Sequence, residues 1–301
     1  MRVHLVDGTY ELYRQHFGAP QRDDGPRDAA TIGALQSTLR LIQDGATHVA
    51  VATDHVIESF RNDLYAGYKT SEGMEPELLR QIPLLEEALR AMGITVWATV
   101  REEADDALAS GVAVAVDDRR VAQVRLLTPD KDLGQCVRGR RVIQVDRRSG
   151  AEIDEDAVRA KFGVRPASIP DYLALVGDPS DGFPGLPGWG AKSASALLAH
   201  YVHLERIPED HGRWAADGIE VRGAAKLAAT FRERRSDADL FKRLATLVET
   251  VEVGAVEDWR WRGPTADFVA VARDLGAESL AERAARLAEE PPPPPDVPPA
   301  G

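Results

Sequence analysis

No disulfide can form within this chain, because its 301 residues contain a single cysteine, Cys136. That favours a reducing compartment. Long apolar runs are missing too. The first segment, MRVHLVDGTYELYR, meets Asp7 before any signal-like stretch develops, and no later run is long enough to cross a bilayer. The expectation is a cytoplasmic protein with no membrane partner. Positive charge is scarce, with a formal net charge of −12, which taken alone argues against nucleic-acid binding. Net charge is a weak guide, however, where carboxylates gather around cations. The charge is also uneven, since Lys and Arg outnumber Asp and Glu between Arg222 and Arg243. No internal repeat is visible.

What is present reads as an ordinary globular composition, 44% hydrophobic and 29% charged, long enough for one large or two moderate domains. Short β-branched runs end in carboxylates: RVHLVD at Asp7, HVAVATD at Asp54 and VRLLTPD at Asp130. Helix-like segments lie between them. PELLRQIPLLEEALRAMG has Pro76 in its first turn and Gly93 as its stop, and another helix starts near Asp105. Alternating strands and helices predict a parallel α/β sheet with helices on both faces, whose ligands sit at the carboxyl ends of the strands. After about Gly163 the segments read as helices joined by turns, with no strand expected until near Val251. The stretch from Thr265 to Glu290 reads as helical without an evident role, and a proline-rich, extended tail follows from Pro291.

Asp7, Asp54, Glu103, Asp105, Asp106, Asp130 and Asp132 all fall where a strand ends or a helix begins, and Asp178 and Asp181 follow in GDPSDGFPGLPGWGAKSA. Two such charges about 4 Å apart repel by about 4 kcal/mol at an effective dielectric of 20. A convergent set therefore needs protons or cations. Oxygen donors without His or Cys suit Mg²⁺ or Mn²⁺ and disfavour zinc, and two such ions serve in-line phosphodiester hydrolysis. Any single member could instead be a turn residue or helix cap, and EEADD alone could be a capped helix start. The hairpin from Gly185 to Gly190 combines close backbone approach with the helix start at Ala191, an anion-binding combination; its bland reading is a turn between helices.

Five elements in order, VDGTYELYR, FRNDLYAGYK, EEADD, LLTPDKDLGQCV and GDPSDGFPGLPGWGAKSA, resemble the 5′-nuclease superfamily: the nuclease domain of bacterial DNA polymerase I, phage 5′-exonucleases and flap endonucleases. The resemblance covers roughly residues 1–251. It implies a PIN-like nuclease domain (1–163), then a helix–three-turn–helix DNA-binding domain (164–260), a helical extension (261–290) and the tail (291–301). It implies two divalent ions on Asp7, Asp54, Glu103, Asp105, Asp130, Asp132, Asp178 and Asp181, with Asp106 acting partly through water. It gives Lys69 and Arg61 cationic roles at the scissile phosphate, and Tyr10 and Tyr68 stacking roles. DNA contacts are implied for Gly185, Gly188, Gly190, Lys192 and Ser193, with K⁺ at the hairpin. The expected function is a standalone 5′→3′ exonuclease and flap endonuclease, monomeric, acting on DNA with 5′ ends, flaps or nicks in replication or repair.

Three departures stand out. Family members commonly read YKxxR, but here Glu72 occupies the arginine position, in the segment between Lys69 and about Met92 where an arch above the site is expected. Thr53 precedes Asp54 where Phe is more usual, and Gly182 replaces the Asn of SDNIPG. None removes an implied ligand. Two other functions stay open: a non-catalytic, structure-specific DNA-binding protein, and an RNA-directed PIN-like nuclease.

Overall fold

The computed structural model describes residues 1–18 and 28–293. Its centre is a six-stranded sheet formed by β1 (Arg2–Asp7), β2 (His48–Asp54), β3 (Thr95–Thr99), β4 (Gln123–Leu127), β5 (Val142–Val145) and β6 (Glu152–Ile153), in spatial order β3-β2-β1-β4-β5-β6. The first five run parallel; β6 joins antiparallel at the edge, a reversal that the alternating pattern did not announce. Strands buried on both faces need side chains that tolerate apolar surroundings throughout. Val3, Leu5, Val49, Ala50, Val51 and Ala52 meet that need and are fully buried.

Helices α1 (Gly8–Gly18), α2 (Ala29–Gln43), α3 (Phe60–Leu64) and α4 (Pro76–Ala91) follow β1 and β2, and α5 (Ala104–Asp117) follows β3. One face of the sheet is covered by a core that includes Leu12, Leu35, Leu39, Ile82 and Leu85. The other is covered by α5, where Ala107, Leu108 and Val112 pack near Trp97 and Trp259. Gly111 fits there because a Cβ would lie 2.7 Å from the Trp97 ring. The stretch expected to arch over the site is mostly α4, and its Leu78, Ile82, Leu85 and Leu89 are buried in the sheet-facing core. Their helical spacing gave α4 an apolar face, and burial of that face fixes it to the sheet.

The second unit is helical: α6 (Glu155–Phe162), α7 (Ile169–Val176), α8 (Ala191–Tyr201), α9 (His211–Ala216), α10 (Ala224–Glu233) and α11 (Arg235–Ala245). Its core gathers Leu173, Phe183, Trp189, Trp214, Phe231 and Phe241. Among the described residues no strand follows Ile153; near Val251 the chain is irregular, and Arg260 makes an isolated bridge to His48 instead. The helical reading of the last segment corresponds to α12 (Phe268–Asp274) and α13 (Glu278–Glu289), which pack back onto α4 and α2. Gly93 lets this return segment approach, since it has φ +82° and a Cβ there would sit 2.0 Å from the Gly263 carbonyl oxygen. The proline-rich tail lies, beyond residue 293, outside the described residues.

Candidate metal centre and nucleic-acid interface

Parallel pairing in register delivers the acids to one edge. Asp7 and Asp54 end neighbouring strands, and Asp130 follows the end of β4 on the other side of β1. Glu103 and Asp105 stand at the start of α5. Asp7 accepts from the Tyr10 N–H (2.8 Å) and the Thr128 hydroxyl (3.0 Å), and Asp54 accepts from the Ala104 N–H (2.8 Å). The Asp132 N–H donates to Asp130 at 2.9 Å. Asp7, Asp54, Glu103, Asp105 and Asp130 line one cavity of about 900 Å³ together with Tyr10, Tyr13, Phe17, Lys69 and Arg148. Burial pushes Asp7 up to about 7, helped by the charges of Asp54 and Asp130. Burial also raises Asp54, and lifts Asp105 well above the ordinary carboxylate range with Asp130 and Asp7 adding to it. These groups favour protons unless another cation supplies charge.

A second acid group adjoins the first. Asp132, Asp178 and Asp181 are all buried and present carboxylate oxygens within 4.8 Å of one another. Burial, then Asp130 and Asp181, drives Asp132 well upward, and burial raises Asp181. Asp132 Oδ1 is buried with no hydrogen-bond partner. A buried carboxyl oxygen without a partner is costly, and its surroundings suit a hard cation. Lys131 Nζ holds Asp178 at 2.7 Å. Lys69 Nζ bridges the two groups, 2.9 Å from Glu103 and 2.8 Å from Asp181. Burial penalises both ammonium groups, yet the carboxylates raise Lys69 well above and Lys131 above its usual value.

The other cation expected at the site, Arg61, is inside. Arg61 is 1% exposed and forms a two-pronged pair with Asp106 at 2.7 and 2.8 Å. Its other hydrogens go to Glu103 and to the carbonyls of Leu244 and Thr246, which ties the sheet domain to the end of α11. Tyr68 is also buried, its hydroxyl donating to Glu103 at 3.3 Å. Another trio, Asp171, His203 and Glu205, has carboxylates close enough for an ion, but Lys242 already fills it, 2.7 Å from Asp171 and 2.8 Å from Glu205.

From Asp178 the chain runs directly into the glycine hairpin. Paired backbone bonds join Asp178 and Phe183 at 2.8 and 3.1 Å, and the Leu186 N–H reaches Leu175 O. Gly185 (φ +70°) would place a Cβ 2.3 Å from the Gly177 nitrogen, so only glycine fits. Gly188 also has positive φ, whereas Gly190 is extended. Ser193 Oγ accepts from the Gly190 N–H at 3.1 Å and so caps α8, while Lys192 is exposed beside it. Trp189 anchors the hairpin against Trp214 and Phe231.

Residues 2–163 match the family model described as 5′-3′ exonuclease, N-terminal resolvase-like domain, and residues 164–267 match the 5′-3′ exonuclease, C-terminal SAM fold. The chain belongs to the 5′-3′ exonuclease family. The chain is 34% identical to DNA polymerase I of Pseudomonas aeruginosa over 95% of its own length, and it spans 32% of that protein. Its fold is that of T5 5′-exonuclease, solved with divalent zinc bound (TM-score 0.64, 16% identity, 96% of this chain and 99% of that one). It is also that of flap endonuclease-1 from Methanococcus jannaschii (TM-score 0.59, 15% identity, 96% and 92%).

The structure differs from the sequence reading at several side chains. Arg61 and Asp106, expected to act at the substrate, are buried against each other, and neither lines the cavity. Tyr68 is likewise buried, whereas Tyr10 lines the cavity. Both Glu103 oxygens are taken, Oε1 by Ser59 and Arg61, Oε2 by Lys69 and Tyr68. Asp7, which carries one hydrogen bond on each oxygen, lines the cavity with Asp54, Asp105 and Asp130, and these four have fewer partners than Glu103. The Gly182 departure has a direct cause: a Cβ there would stand 2.1 Å from the Gly67 carbonyl oxygen. Sequence reasoning passed over Lys131, although its place between Asp130 and Asp132 was the available signal. It also passed over Thr128 and Arg148.

Proposed function

We propose that the 301-residue chain by itself is a divalent-metal-dependent 5′→3′ exonuclease and flap endonuclease that hydrolyses DNA phosphodiesters near 5′ ends, flaps or nicks. The observation that carries this reading is the open cavity of Asp7, Asp54, Asp105 and Asp130 beside the buried trio Asp132, Asp178 and Asp181. The donors are all oxygen and one is orphaned, which suits Mg²⁺ or Mn²⁺. The first group would hold one ion and the trio the second. Ions bound there supply positive charge and a more acidic water.

The chain's own residues supply the rest. Lys69, already poised between both acid groups, would hold a non-bridging phosphate oxygen and offset charge as the bond breaks. Arg61 fixes the start of α5, and with it Asp105, by holding Asp106. The hairpin from Gly185 to Gly190, with Lys192 and Ser193, would grip a phosphate of the duplex, with K⁺ as an additional ligand of its backbone. Tyr10 would stack on a base or sugar in the cavity. The acid set comes from one chain, which supports a monomer. Among the described residues no helix is long and apolar enough to cross a membrane, which fits action on DNA in the cytoplasm.

The test is cleavage of a 5′-labelled flap or nicked duplex by the purified chain with Mg²⁺ or Mn²⁺. Short labelled products are expected from wild type and none from folded Asp130→Ala or Asp178→Ala. Flap binding without cleavage in any divalent ion would instead establish a non-catalytic binder, and preference for a matched RNA flap would establish the RNA-directed alternative.

A further inference from the structure

The cavity that holds the acids also has a basic wall, and the cations near it differ sharply in how they are occupied. Lys69 is held by Glu103 and Asp181. Arg14 and Arg147 both turn to the buried carboxylate of Glu11. Arg148 lines the cavity, is exposed, and has no ion-pair partner among the described residues. Its nearest acid in the chain, Asp146, is occupied by the turn itself, accepting from the main-chain N–H groups of Arg148 (2.7 Å) and Ser149 (3.3 Å).

The turn that carries Arg148 is braced on both sides. Asp146 and Ala151 close it by a 3.0 Å backbone bond, and Gly150 N–H returns to Asp146 O at 2.8 Å with φ +74°. Next door, Arg147 reaches Ser37 and Glu11 and so fastens the β5–β6 turn to α2 and α1. A braced backbone presenting a guanidinium that forms no ion pair among the described residues to a cavity otherwise rich in carboxylates is an arrangement for an anion. The planar fork of arginine matches a phosphate in two places at once. Exposed Glu72 stands where an arginine is usual after the family's tyrosine–lysine pair, so the strand's phosphates lose a cation from that side.

We infer that Arg148 is a phosphate-binding residue of the cavity: it holds a phosphate of the DNA strand whose neighbouring phosphodiester lies over the acids. The inference rests on the nuclease reading above. The ligand is either the terminal 5′-phosphate or an internal phosphodiester of that strand.

Binding of fluorescent single-stranded and flapped oligonucleotides, each with a 5′-phosphate or a 5′-hydroxyl, tests this with Ca²⁺ in place of Mg²⁺ and across a salt series. Arg148→Ala should weaken binding by roughly tenfold or more, as expected for loss of a charge-assisted hydrogen bond, and should lower the salt slope by about one. Arg148→Lys should restore the slope but not the full affinity. Exposed Arg119, at the opposite end of the strands, should behave as wild type when changed to alanine. Loss confined to phosphorylated oligonucleotides assigns the terminal phosphate, and equal loss assigns an internal one. Wild-type affinity and slope in Arg148→Ala would overturn the inference, whereas absence of binding by wild type itself would overturn the nuclease reading.

Discussion

Asp7 concentrates the chemistry of the site in one carboxyl group. Its folded value is pushed to about 7, far above the ordinary 3.8. A proton is therefore retained in the folded state that the unfolded chain releases at lower pH. The stability this proton contributes is complete below about pH 4 and is lost as pH rises towards 7. Divalent ions bound there would compete with that proton for the same oxygens. The thermal stabilisation given by Mg²⁺ should therefore be small at about pH 5 and grow towards pH 8, as Asp7 ionises. Melting curves with and without Mg²⁺ across that range measure it, and a shift independent of pH would contradict it. Arg61 makes a different prediction. Changing it to methionine leaves Asp106 buried without its partner, so urea unfolding should show a loss of about 3–5 kcal/mol. A loss below about 1 kcal/mol would mean that Asp106 finds another donor.

At the scale of elements, strand ends were legible because the alternating pattern and the closing carboxylates coincide at Asp7, Asp54 and Asp130. The start of α5 was legible from EEADD. What could not be read was decided by distant partners. Arg61 is exposed or buried according to two carbonyls of the α11 end, and one of them is 183 residues away in sequence. The β6 reversal involves only two residues, too short for a period. Helices α12 and α13 announced their own existence by spacing, but not that Phe268, Leu280 and Ala284 would complete the core over α2 and α4. Phe268 is 1% exposed, and Phe268→Ala should cost about 3–5 kcal/mol in urea unfolding through the cavity it leaves. Normal DNA affinity in the same variant would show that this return segment serves the fold rather than the site. Gly182→Ala should do the reverse. Its Cβ would push on Gly67 and shift the neighbouring Lys69, so cleavage should fall by more than the melting temperature suggests.

For the whole molecule, the acidic balance stops being an objection once the charge is placed. Carboxylates gather at the carboxyl edge of the sheet, while Lys69 and Lys131 lie among them and Arg148 stands on the cavity wall. The second unit reaches the same place through one continuous loop, from Asp178 to the hairpin that opens α8. Two of the buried acids and the glycine hairpin thus lie on a single stretch of backbone braced on Trp189 and Phe183. The most direct measurement is anomalous diffraction from a crystal soaked in Mn²⁺. Two peaks are expected, one among Asp7, Asp54, Asp105 and Asp130 and the other among Asp132, Asp178 and Asp181. Density at neither group, or manganese only at remote surface carboxylates, would contradict the account.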